Sequence, residues 1–240
     1  MFQIREQIRE ESLAFIESLF QSVEDNKNEI YNNYSNRLNT LHKAIFPIYI
    51  LNHYKDYSFI SDYYQILMSN IIESQSLMGL GFYNSGMNIL RSAIESSFKL
   101  LYYETHPVEN ILHNEGQHSL TITEYREFMY NHPLVRQLRT IERDKVEAIW
   151  KDLCSYVHND IKAIKTISVL TDIKSVYTFS EREFQTVIEK YKNSVKIIVT
   201  IFLVLNNEWT KNIEKTYYDF IIDIYSPEEI RSIKEVLKIY

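Results

Sequence analysis

Only four glycines and four prolines occur in the 240 residues. Together they fall far below their usual share of about 12%. Sandwiches, barrels and nucleotide-binding folds reverse their chains often and rely on Gly-rich turns to do so. A chain this poor in both residues is confined to long helices joined by few connections. Hydrophobic residues at 45% and aromatics at 14% supply a core, and a charged fraction of 24% is that of a folded protein. The expected fold is all-α, one helical domain over residues 1–240.

Charge and cysteine usage exclude further classes. Lys and Arg number 26 against 32 Asp and Glu, a net charge of −6, so no global basic field drives indiscriminate nucleic-acid binding. Nucleic acid can be met only through a local site. Cys154 is the single cysteine, which rules out an intramolecular disulfide and any cysteine-based zinc spacing and fits a reducing compartment. The N-terminus turns acidic at Glu6, where a secretory signal would need an apolar run. The most apolar stretch, 195–205, contains Lys196 and Thr200 and is far shorter than the roughly 20 residues of a membrane span. A cytoplasmic chain with no membrane association is expected.

Hydrophobic spacing divides the chain into helices. Ile4, Ile8, Leu13, Ile16 and Phe20 predict a helix over 2–23, and residues 1–30 carry a net charge of −4. The polar run 24–29 separates it from a second helix over 30–45, which Pro47 ends or kinks, giving an N-terminal helical hairpin within 1–55. A third helix covers 59–78. A fourth covers 84–103, with its stripe at Met87, Leu90, Ile94, Phe98 and Leu101, and Pro107 stops it. Residues 106–121 read as a loop, and the pair Thr121 and Glu124 forms a capping box for a short helix to 130. After Pro133 a long helical pattern runs over 134–165. The β-branched stretch 166–179 reads as an extended loop or a minor β-hairpin. Ser180 and Glu183 cap a helix through 205. Residues 206–240 form C-terminal helices, the last opening at Ser226 with Pro227 in its first position.

Two helices carry polar side chains that need an explanation. At about 100° per residue, Arg91 lies about 40° from Met87 and about 20° from Phe98, on the shoulder of an apolar stripe, with Glu95 one turn later. A charge there is costly unless it is paired or used. The two residues either form an ion pair that orients the helix or support a polar site at a helix interface. On the later helix the apolar face holds Val146, Ile149, Trp150, Leu153 and Val157. His158 points about 120° away from the centre of that face if the helix is continuous, along nearly the same line as Lys151 and Glu147. His158 belongs to a polar face, either solvated or catalytic.

The segments Leu90-Arg91-Ser92-Ala93-Ile94-Glu95 and Leu153-Cys154-Ser155-Tyr156-Val157-His158 resemble the HEPN superfamily, helical nucleotide-binding and ribonuclease domains of bacterial toxins and antiviral systems. The resemblance covers 59–205 and implies a HEPN-like bundle with extra N- and C-terminal helices. HEPN ribonucleases carry an Arg a short spacer before a His, often with a polar residue after the Arg. Six residues separate Lys151 from His158, and Asp152 is the polar follower. The spacing fits, but lysine stands where the motif has arginine, and a point charge replaces a planar fork. The resemblance implies a metal-independent RNA endonuclease, active as a homodimer in bacterial self-toxicity or phage defence. His158 would be the general acid or base and Lys151 the phosphate partner, with Arg91, Glu95, Asp152 and Asn159 in support. The alternative is a catalytically silent HEPN-like module that binds a protein such as an antitoxin or a defence-complex subunit.

No cofactor or metal is expected. His106, His113, His118 and His132, near Glu109 and Glu115, form no tight ligand motif. Phosphate-binding glycine loops, dinucleotide fingerprints and nucleophile elbows are absent from the sequence. The tyrosines at 31, 34, 49, 54, 57, 63 and 64 could stack nucleobases, but in a Gly-poor helical chain they read as core and interface aromatics.

Overall fold

The computed structural model describes residues 2–53, 61–157 and 179–239, and among them every regular element is helical. The protein is all-α. The described α-helices are α1 (Phe2–His53), α2 (Ser61–Gly79), α3 (Tyr83–Thr105), α4 (Pro107–Asn114), α5 (Ile122–Asn131), α6 (Arg143–Val157), α7 (Glu181–Leu205), α8 (Asn207–Thr210), α9 (Lys215–Ile222) and α10 (Pro227–Leu237). Two 3-10 turns, Val135–Gln137 and Arg139–Ile141, lie between α5 and α6. No described helix is long and apolar enough to cross a membrane.

The core is built around α3 and α7. Helix α3 packs against α2, α5, α6 and α7, and α7 also receives α1 and the second 3-10 turn. From Ile197 to Val204 every residue of α7 is buried, so the C-terminal half of that helix has no face to give to water, while its N-terminal half keeps an exposed polar face at Glu181, Arg182 and Glu189. Its Tyr191, Val195, Ile198 and Phe202 meet a core that includes Leu90, Ile94 and Phe98 of α3. Helices α2 and α3 form a close antiparallel pair. A Cβ on Gly86 would sit 2.9 Å from the Met78 side chain and 3.1 Å from the Ser74 carbonyl oxygen, and the Ser74 hydroxyl donates to the Gly86 carbonyl at 2.8 Å.

Three expectations are corrected. The N-terminal hairpin is one continuous 52-residue helix, roughly 78 Å long at 1.5 Å per residue. Its polar run 24–29 contains no Gly or Pro and satisfies itself along the helix. Lys27 pairs with Glu24 at 2.8 Å, Gln21 donates to Asp25 at 2.8 Å and Asn33 to Glu29 at 2.9 Å. Pro47 lies inside α1; the surrounding Leu41, Ala44, Ile45, Ile48 and Leu51 are all buried, and that packing outweighs the roughly 3 kcal/mol a helical proline costs. The loop expected over 106–121 contains α4, because Pro107 occupies a first-turn position and starts a helix as well as ending one. The long helix expected from 134 begins only at Arg143. Before it the chain is held in 3-10 turns that bury Val135, Leu138 and Ile141, and the Arg139 N–H donates to the Ser232 hydroxyl at 3.1 Å rather than to a helical carbonyl.

The capping boxes at Thr121 and Ser226 both form with all their hydrogen bonds, and Ser180 accepts from the Glu183 N–H. Residues 166–178, most of the stretch read as a loop or minor hairpin, lie outside the described residues. Phe179 at its end packs on Tyr34 and Phe184, with ring centroids 5.3 and 5.7 Å apart.

A charged cluster where helix α3 meets helix α6

Helices α3 and α6, which carry the two segments singled out in the sequence, pack directly on each other. Arg91 and Glu95, one turn apart on α3, form an ion pair at 2.7 Å with both side chains 23% exposed. The guanidinium of Arg91 lies 5.0 Å from the ring centroid of Trp150 on α6, within the range of cation–π attraction. Phe98 of α3 contacts the same indole at 6.1 Å. The shoulder position of Arg91 thus turns its charge onto a neighbouring aromatic face.

Helix α5 adds a second guanidinium. Arg126 sits 5.1 Å from the Trp150 ring and pairs with Glu147 of α6 at 3.3 Å. Glu147 also accepts a hydrogen bond from the Tyr130 hydroxyl at 2.9 Å, and burial followed by that carboxylate pushes the phenol well above its usual range. Two arginines and two glutamates therefore gather around one tryptophan, each charge paired. The Nε atoms of Arg91 and Arg126 are buried with no acceptor among the described residues.

Cys154 is half-buried among these charges. Burial pushes its thiol up; Arg91 and Arg126 draw it down, and Glu95 and Glu147 push it up again, for a net rise. It is held as the neutral thiol, which is a poor nucleophile.

Asp152, expected to support the site, is committed elsewhere. It pairs with Lys190 of α7 at 2.7 Å, and Lys190 donates to the Tyr156 hydroxyl at 2.7 Å. Burial pulls the Lys190 ammonium down, but Asp152 and Tyr156 more than offset it and hold it above its ordinary value. Lys151 is exposed on α6 and has no charged partner among the described residues. His158 and Asn159 lie outside the described residues, immediately beyond Val157, where the description of α6 ends.

Three of the four histidines at 106, 113, 118 and 132 have rings with structural partners. His106 stacks on Tyr102 at 4.1 Å, His113 bonds the His118 carbonyl oxygen at 2.9 Å, and the Leu134 N–H donates to His132 at 3.3 Å. Among the described residues no three metal-ligating side chains come together. Of the tyrosines in the aromatic runs, Tyr34, Tyr63 and Tyr64 pack against the core, and Tyr31 and Tyr49 are exposed. A polar cleft of about 360 Å³, lined by Gln137, Arg139, Glu228, Arg231, Ser232 and Glu235, includes none of the residues singled out in the sequence.

Sequence reasoning found Arg91 and Glu95 but missed Arg126, Tyr130 and Lys190. The spacing of Arg126 and Tyr130, four residues apart on a capped helix, was a signal for a shared face. Nothing local pointed that face at Trp150. No family model, curated protein or solved structure matches this chain.

Proposed function

We propose that this chain is a HEPN-like, metal-independent RNA endonuclease that acts as a toxin or phage-defence effector. The observation that supports this reading is the direct packing of α3 on α6. The Arg91–Glu95 pair is thereby set against Trp150 and beside Cys154, one helical turn in sequence before His158. In this reading the charged cluster is the rigid support of α6, and the reacting groups follow it in the chain.

The chemistry is transesterification within the RNA strand. The ribose 2′-oxygen attacks the adjacent phosphorus, its proton passes to His158, and the 5′-oxygen leaves with a proton, giving a 2′,3′-cyclic phosphate. An imidazole suits this task because it titrates near neutral pH. Lys151, exposed and without a charged partner among the described residues, offsets charge on the phosphorane. Seven residues on a regular helix span about 10 Å in rise, so on a continuous helix the two would not meet and a second subunit of a homodimer completes the site.

The test is expression in a bacterial host, with purified protein incubated with total RNA in chelator. Wild type is expected to arrest growth and leave cyclic-phosphate ends, and His158→Ala to do neither. A specific observation favours the other reading, a catalytically silent module that binds a protein. Arg91 and Asp152 are both neutralised within the fold, which leaves the site lysine where the motif has arginine. Identical behaviour of wild type and His158→Ala removes the nuclease and favours that reading.

A further inference from the structure

Helix α1 is anchored late. The first buried residue along it is Asn26 among the described side chains, and it sits against the turn between α2 and α3. Gly81 in that turn has φ +87°, and a Cβ there would lie 2.7 Å from the Asn26 amide. N-terminal to this contact the helix carries Leu13, Ile16 and Phe20, which are 51%, 45% and 69% exposed. Three large exposed apolar side chains along one line of this arm signal an interaction surface.

The spacing of this surface is specific. Leu13, Ile16, Phe20 and Val23 advance by three, four and three residues, the seam of a coiled coil. With Leu13 and Phe20 at heptad position a, and Ile16 and Val23 at d, position e is glutamate each time: Glu10, Glu17 and Glu24, all exposed. The facing g positions are Ser12, Leu19 and Asn26, with no charge. Flanking charges select the partner of a two-helix seam. An antiparallel second copy would bring one glutamate row against another, and a parallel copy would leave Glu10 and Glu17 of both rows unanswered, Glu24 being paired with Lys27 of its own helix. Like charges in register disfavour association, whereas a row of Lys or Arg across the seam answers the glutamates.

We propose that the N-terminal arm of α1 is a docking helix for a partner protein, and that the partner presents an amphipathic helix with an apolar seam edged by basic residues. The arm binds by laying Leu13, Ile16 and Phe20 into that seam. Glu10, Glu17 and Glu24 fix its charge preference and register. This surface is separate from the cluster between α3 and α6, and the proposal does not depend on nuclease activity.

The probes are two synthetic helical peptides with leucine at a and d, one with lysine and one with glutamate at e and g. Each is titrated against the full-length chain by fluorescence anisotropy, with sedimentation velocity run in parallel. The lysine peptide is expected to bind roughly tenfold or more tightly than the glutamate peptide, with a preference that shrinks at high salt. The triple variant Glu10→Lys, Glu17→Lys, Glu24→Lys should reverse that preference. Ile16→Ser with Phe20→Ser should abolish binding while helical circular dichroism stays unchanged. Equal or absent binding of the two peptides overturns the proposal. So does a homodimer that Phe20→Ser dissolves, because the arm would then be covered by a second copy. His158→Ala leaves all these readouts unaltered, so failure here is distinct from failure of the nuclease reading.

Discussion

A half-buried charge in this protein is tolerated when its neighbours answer it. Arg91 shows this with Glu95 and Trp150, and Lys190 shows it with Asp152 and Tyr156. His132 is the contrasting case. Its ring accepts the Leu134 N–H and lies edge-on to Phe128 at 6.2 Å, and burial lowers its pKa below the ordinary 6.5. The folded protein therefore takes up this proton less readily than the unfolded chain. Stability from the neutral ring is fully present above about pH 6.5 and is lost as pH falls through the lowered folded value. Urea unfolding at pH 7.5 and at pH 5.5 reads the loss. His132→Asn keeps an acceptor for the Leu134 N–H without a titrating group, so the difference between the two pH values should be smaller in the variant.

Among the elements, α1 is the one whose parts differ most. Its C-terminal half is core, with Leu41, Ile45, Ile48 and Leu51 buried against the bundle. Its N-terminal half satisfies its backbone within the helix and contributes no buried side chain among those described before Asn26. Deleting residues 1–25 should then leave the unfolding free energy within about 0.5 kcal/mol of wild type, as for surface changes remote from packing. Calorimetry on the truncated chain checks this, and a fall of several degrees in Tm would mean that the arm packs on the body. The caps act in the opposite sense, as short local devices. Glu229 in the last capping box is pushed up by burial, yet the Ser226 N–H and Lys196 of α7 hold its carboxyl below the usual range. The start of α10 is thereby tied electrostatically to the central helix.

For the whole molecule, stability is concentrated where α3 and α7 cross the middle of the bundle. Ile198 is fully buried on α7, a helix surrounded by α1, α3 and α6. Its neighbours on every side are packed helices, so the space left by truncation cannot close. Ile198→Ala should lower the unfolding free energy by about 2–5 kcal/mol. Chemical denaturation followed by tyrosine and tryptophan fluorescence measures it. A loss below 1 kcal/mol would mean that this layer of the core is loosely packed.

The sequence by itself determined the helical class, the caps at Thr121, Ser180 and Ser226, the stripe of α3 and the apolar girth of α7. Each of these rests on residues within a few turns of one another, where period and capping chemistry act. It left the extent of α1, the 3-10 turns and the partners of the charged residues open. Glu24 to Glu29 look like a break until their pairing along the helix is seen, and the strand of backbone at Arg139 is diverted by Ser232, a residue 93 positions away. The candidate site divides in the same way. Arg91 and Glu95 were legible because they sit four residues apart on one helix. Arg126 and Glu147 join them, and Lys190 reaches Asp152, only because α5, α6 and α7 are brought together, and such long-range approach is set by the packing of side chains from distant segments rather than by any local period.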